Sequence, residues 1–187
     1  MTQAANLAAL GNNATSTGGL NATNLGTPSA IVLTNATGLG YSAMPTGSVL
    51  QVVNGSTTTN TTTSSSSYSD TNLTATITPR FSTSKIYVVS NSIVSSNAMN
   101  GWGAFATIYR GATNLAAAYG TGGNNSFAAM YSGTSMNLTM PFSMTYLDSP
   151  ATTNSTTYTI YIGGGGATVA YCSDNWYAGI PPAVLTV

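Results

Sequence analysis

General acid–base catalysis needs titratable side chains held beside a reacting atom, usually His, Asp, Glu or Lys. This sequence offers Asp70, Asp148, Asp174, Lys85, Arg80 and Arg110, and it has no histidine and no glutamate. Serine or cysteine nucleophiles need an adjacent base, so without histidine the common triads cannot be assembled. A glycosidase would need two of the three aspartates about 5–10 Å apart across a cleft. No motif in the sequence brings two together, and the chain reads as a non-enzyme. Zinc sites lose their main nitrogen ligand, and Cys172 alone cannot form a thiolate cluster. It cannot form a disulfide within the chain either, and it is expected as a small buried thiol.

Asp70 with Asn72, and Asp174 with Ser173 and Asn175, could supply oxygen ligands to calcium. The same residue types are ordinary in turns, where their side chains bond nearby backbone, and the turn reading is favoured. Asp148, in Leu147-Asp148-Ser149-Pro150, is placed to start a turn. An ion pair from it to Arg80, Arg110 or Lys85 is open. The later aromatics are Trp102, Tyr119, Tyr131, Tyr171, Trp176 and Tyr177. Flanked by Asn and Asp, they could stack on surface glycans, with Trp102, Tyr119, Tyr131, Trp176 and Tyr177 as the contact candidates. Packing in a core or subunit interface explains them equally well. The glycine run Gly163–Gly166 lacks the lysine and the strand–helix context of a phosphate loop, and reads as a flexible hairpin. No cofactor is implied.

Charge bounds the partners. Three cations balance three anions. Nucleic-acid binding needs clustered Lys and Arg, and anionic membranes attract polybasic segments. Neither is available. The N-terminus lacks the basic start and apolar run of a signal peptide, and no stretch is apolar enough to span a bilayer. Cytoplasmic synthesis is the expectation. A surface of Ser, Thr, Asn and Gly with almost no charge has little self-repulsion, so the chain should associate readily.

The elements that would position these residues change character near Gly47. Residues 1–46 are rich in Ala, Asn, Thr, Gly and Leu and carry no charge. Short units recur unevenly, as in Asn21-Ala22-Thr23-Asn24-Leu25-Gly26 and Asn35-Ala36-Thr37-Gly38-Leu39-Gly40. Leu7, Leu10, Leu20, Leu25, Ile31, Leu33 and Leu39 are too widely spaced to close a core by themselves. We read this segment as an extended arm that docks on a shell and interlaces with neighbouring subunits.

Residues 47–187 carry the period-two pattern of strands. Ser48–Val53 is a short apolar run ending at the turn signal Asn54-Gly55, and residues 56–69 form a Thr/Ser tract. Leu73, Ala75 and Ile77 alternate with threonines. Lys85–Val89 and Ala104–Tyr109 read as separate buried strands. Asn114–Tyr119 reads as another, followed by an alternating segment from Met136 to Leu147. Tyr158, Ile160 and Ile162 alternate next, and Thr168–Tyr171 and Ala183–Val187 close the chain. About eight to ten short antiparallel strands without a helix predict an all-β sandwich or jelly roll.

The order of several segments resembles a known family. These are Gly47-Ser48-Val49-Leu50-Gln51-Val52-Val53, Thr76-Ile77-Thr78-Pro79, Ser84-Lys85-Ile86-Tyr87-Val88, Tyr109-Arg110-Gly111, Tyr146-Leu147-Asp148-Ser149-Pro150 and Thr157-Tyr158-Thr159-Ile160. Together they are similar to a β-sandwich domain of tailed-bacteriophage virion proteins, which often sits at the tip of tail fibres or tailspikes. The resemblance covers most of the chain. It implies a homotrimer exposed on the virion and carries over no catalytic residue. The sequence opens on Met1 and contains no long shaft, which favours a trimeric capsid decoration (cement) protein contacting the major capsid protein on the outer surface of the head. The alternative is the receptor-binding tip of a fibre or spike, with host surface glycans as partners.

Overall fold

Apolar faces at every second residue dictate strands, and strands with one apolar face must bury it against another layer. The computed structural model describes residue 3 and residues 40–41, 44–118, 125–165, 168–171 and 182–187. The chain divides into two units, Met1–Met44 and Pro45–Val187. In the first, residues 3, 40, 41 and 44 are described, and Met44 donates its N–H to the Tyr41 carbonyl at 3.2 Å. The arm candidates Leu7, Leu10, Leu20, Leu25, Ile31, Leu33 and Leu39 lie outside the described residues.

The second unit opens on a turn. Ser48 N–H donates to the Pro45 carbonyl at 3.1 Å, and Gly47 has φ 90°. A positive φ at the third position of a type II turn is the reason for glycine there. Nine strands follow among the described residues: β1 Asn54–Thr57, β2 Thr61–Thr63, β3 Ser69–Ile77, β4 Ile86–Arg110, β5 Thr113–Asn114, β6 Ala128–Asp148, β7 Thr156–Gly164, β8 Thr168–Tyr171 and β9 Ala183–Thr186. A short 3-10 helix, Leu115–Ala118, follows β5. The protein is all-β, and every strand pairing is antiparallel. Among the described residues no helix is long and apolar enough to cross a membrane.

The hydrogen-bonded sheet is continuous, and β4 is the reason it forms two layers. In its first half, β4 pairs with the end of β6 on one edge and with β9 and β8 on the other. In its second half it pairs with the start of β6 and with β5 on one edge, and with β7 on the other. The first layer is therefore β6, β4, β9 and β1, extended by β8 and β2. The second layer is β6 and β5, then β4, β7 and β3. Between the halves, the β4–β6 register shifts three times, between Ser96 and Met99, Met99 and Gly101, and Trp102 and Ala104. Bulges bend and twist the strand that carries them. Here they carry both strands from one layer to the other.

This corrects the reading of Lys85–Val89 and Ala104–Tyr109 as separate short strands. They are the two ends of one strand of 25 residues, and its partner β6 has 21. The polar, glycine-containing stretch between them resembles a loop in sequence. It is instead held extended by interrupted pairing with the partner strand. Asn54-Gly55 is likewise not a turn but the start of β1, paired with Thr186 and Leu185. A Cβ on Gly55 would lie 1.8 Å from the Thr74 carbonyl oxygen, so glycine is needed where β1 approaches β3. The segment read as a strand from Asn114 to Tyr119 keeps only Asn114 in a strand, and Tyr119 lies outside the described residues. After Asn114 the chain turns into the 3-10 helix, because Asn114 Oδ1 accepts the Ala116 N–H at 2.9 Å.

The core lies between the layers. Leu73, Ala75 and Ile77 of β3, Val88, Ala106 and Ile108 of β4, Phe142 and Met144 of β6, Tyr158, Ile160 and Ile162 of β7, and Leu185 of β9 form one buried cluster. Each fully buried Leu, Ile or Val stabilises the fold by about 1.5–3 kcal/mol before entropy is counted. Threonines alternate with these residues and face outward from β3.

Candidate functional site

One ion pair closes one end of the sandwich. Arg110 is the last residue of β4 and Asp148 the last of β6. They lie in different layers, yet Arg110 Nη1 donates to both carboxylate oxygens of Asp148 at 2.8 Å. The Tyr158 hydroxyl donates to Asp148 Oδ2 at 2.7 Å. Asp148 is buried, and a buried carboxylate must be paired and hydrogen-bonded. Here one guanidinium and one phenol meet that need, so three strands are tied together at this end. Of the three cations left open by the sequence, the fold selects Arg110. Lys85 instead donates to Ser149 Oγ at 2.6 Å. Burial, then the Asp148 carboxylate beside it, pushes the Tyr158 hydroxyl far above the ordinary tyrosine value.

Asp70 has a structural task as well. Its Oδ1 accepts the Asn72 N–H at 2.7 Å, inside a bulge where Asn72 has φ 59°. Asparagine tolerates that left-handed conformation better than most residues, so the geometry is that of an Asx turn. Tyr161 on β7 is the cross-strand neighbour of Asp70. Burial first, and Asp70 second, raise the Tyr161 hydroxyl above its ordinary value. Among the described residues no three of His, Cys, Asp and Glu come together to hold a metal. Asp174, with Ser173 and Asn175, lies outside the described residues, and so does Cys172.

The outer face of the second layer carries an aromatic layer that the sequence reading missed. Tyr109 and Tyr161 have ring centroids 4.1 Å apart, and Tyr68 packs edge-on against Phe105 at 5.2 Å and Tyr109 at 5.9 Å. The Tyr68 hydroxyl donates to the Asn125 carbonyl at 3.0 Å, and burial pushes it up to about 12. Phe105 lies opposite Gly163 on β7, and a Cβ there would lie 2.0 Å from the ring. Gly163 and Gly164 are thus strand residues rather than a flexible hairpin. Period-two alternation with Ile160 and Ile162 puts Tyr161 on the opposite face of β7, whereas the sequence reads Tyr109 within a buried strand. Only the non-local β4–β7 pairing could reveal that they stack.

Of the aromatic contact candidates, the fold brings two together. Trp102 on β4 and Tyr131 on β6 are directly paired in the register, at the crossing between the layers. Tyr131 is 64 % exposed. Tyr119, Trp176 and Tyr177 lie outside the described residues.

The outer face of the first layer differs again. Tyr87 on β4 and Leu147 on β6 are cross-strand partners, and each is 58 % exposed. Asn91, Ser143 and Thr145 extend this face, which carries no charge along β4 and β6. No protein-family model matches the chain, and no curated protein matches it.

Proposed function

We propose that this protein is a structural component of a tailed-bacteriophage particle, a trimeric decoration protein that stabilises the outer surface of the head. The observation that carries the reading is where the charge goes. Asp70, Asp148, Arg110 and Lys85 each hydrogen-bond within the fold, while the outward face of the first layer is uncharged and displays Tyr87 and Leu147. A carboxylate held by arginine and tyrosine ties strands together and is not poised for proton transfer. An uncharged, partly apolar face is suited to packing against protein. The resemblance of the strand segments to virion sandwich domains points the same way. In this reading the first 46 residues dock on the major capsid protein and interlace with neighbours. Three arms on one trimer bind together, so weak contacts multiply through avidity. Deleting residues 1–46 should leave the sandwich folded and abolish attachment to particles lacking the protein. A truncated chain that binds those particles as tightly as the whole one removes the arm from the account.

One observation favours a second reading, that of a receptor-binding tip. The Trp102–Tyr131 pair places two aromatic residues opposite each other at the bent crossing, and Tyr131 is exposed there. Aromatic rings with polar neighbours suit the apolar faces of sugars. This reading expects Tyr131→Ala to abolish adsorption to host cells. The decoration reading expects adsorption unchanged.

A further inference from the structure

The sandwich treats its strand edges unequally. A strand paired on one side only presents a row of free N–H and C=O groups, and proteins guard such edges with shortness, bulges, charge or proline. β1 and β2 are four and three residues long. β3 carries Asp70 and a bulge with Asn72 at φ 59°. The end of β6 has little such protection. Every residue from Leu138 to Asp148 is paired in unbroken register with β4, from Ser96 back to Ile86, and among the described elements β6 pairs with β4 alone. Its one charge, Asp148, is buried against Arg110.

Pro141 fixes which groups face the free edge. A proline inside a strand sits where its nitrogen points away from the partner. Residues two, four and six positions further on, Ser143, Thr145 and Leu147, therefore direct their N–H and C=O groups to the same edge. Their side chains are exposed.

We infer that the Ser143–Leu147 edge of β6 pairs with the same edge of a second copy of this chain, antiparallel about a two-fold axis at Thr145. Ser143 then faces Leu147 of the other copy, and Thr145 faces its own equivalent. Pro141 falls just beyond the paired stretch, so its missing N–H costs no hydrogen bond. An edge that pairs with its own copy is self-complementary by symmetry. With no charge on it, two copies meet without repulsion, and a charged partner gains nothing. The joined sheet runs across both molecules and sets the exposed Leu147 of each beside Ser143 of the other.

The inference concerns a surface other than the arm and goes beyond the decoration reading. Its test is the solution mass of the full chain and of Thr145→Lys, measured by sedimentation. Thr145 is exposed, so lysine leaves the fold intact but sets two like charges directly opposite each other across the axis. The mass should fall by half. A trimer joined elsewhere would pass from hexamer to trimer, and a lone chain from dimer to monomer, so the halving is independent of the trimer. Mixing Thr145→Lys with Thr145→Asp should restore the full mass. Ser143→Lys, facing Leu147 across the axis, should also halve it and stands in should the first variant not fold. A wild type with the same mass as Thr145→Lys overturns the inference, and so does a Lys–Asp mixture that stays at the halved mass.

Discussion

The same two strands, β4 and β6, build two opposite kinds of place. At their ends, Arg110 and Asp148 close the sandwich through a buried carboxylate that also accepts the Tyr158 hydroxyl. At their crossing, the register breaks three times, and Tyr131 is exposed beside that break. Ser96 Oγ, buried at the first bulge, has no hydrogen-bond partner among the described residues. A buried polar atom left unsatisfied costs stability. The β4–β6 register is unbroken from Ser96 to the clamped end and shifts at the bent end. The difference teaches that long strands can separate holding a fold together from presenting a surface.

Breaking the clamp should have the largest effect. Asp148→Ala leaves a partly exposed guanidinium and a buried phenol without their acceptor and should destabilise the fold by about 3 kcal/mol, read as a lowered denaturation midpoint. A midpoint within experimental error of wild type would remove the clamp from the account. Asp148→Asn keeps an acceptor for Tyr158 and should cost less.

Alkaline pH should strike the same end without a mutation. The Tyr158 hydroxyl is raised by burial and by Asp148, and Tyr68 is pushed up to about 12 by burial. In the unfolded chain both ionise at about 10. Above that pH the folded state holds more protons than the unfolded one, so stability falls as pH rises. It should vary little from roughly pH 6 to 7.5, where no histidine titrates. Tyr158→Phe should flatten the alkaline slope, at the expense of one hydrogen bond. An equally steep slope in Tyr158→Phe would assign it elsewhere.

Overpacking between the two ends should have an intermediate effect. Gly163→Val drives a side chain into the Phe105 ring and should cost about 1–3 kcal/mol. Adding Phe105→Ala should recover part of that loss, as expected for residues in contact. The smallest effect belongs to the bent end. Tyr131→Ala removes an exposed ring and should shift stability by no more than about 0.5 kcal/mol. A loss as large as that of Asp148→Ala would mean the two ends are not different in kind.

The sequence reading and the structure part company where contacts are non-local. The alternation of Leu73, Ala75 and Ile77 with threonines, and of Tyr158, Ile160 and Ile162, was legible because each strand carries its own buried face. The length of β4 was not. Residues 95–103 lack an apolar alternation, and non-local pairing with β6 and β8 keeps them extended. Asn54-Gly55 imitates a hairpin turn, while its glycine answers to the Thr74 carbonyl of another strand. Asp148 was visible as a residue seeking a cation. Three cations were available, and the choice of Arg110 depends on two strand ends meeting across the core. Trp102 and Tyr131 were separate candidates until the register set them opposite each other.

The central claim, a structural protein of the outer head surface, is tested most directly by counting. Purified particles, quantified by mass spectrometry against their major shell protein, give the copy number. The account predicts a high number in a simple ratio to the shell protein. A handful of copies per particle, or none, would contradict it.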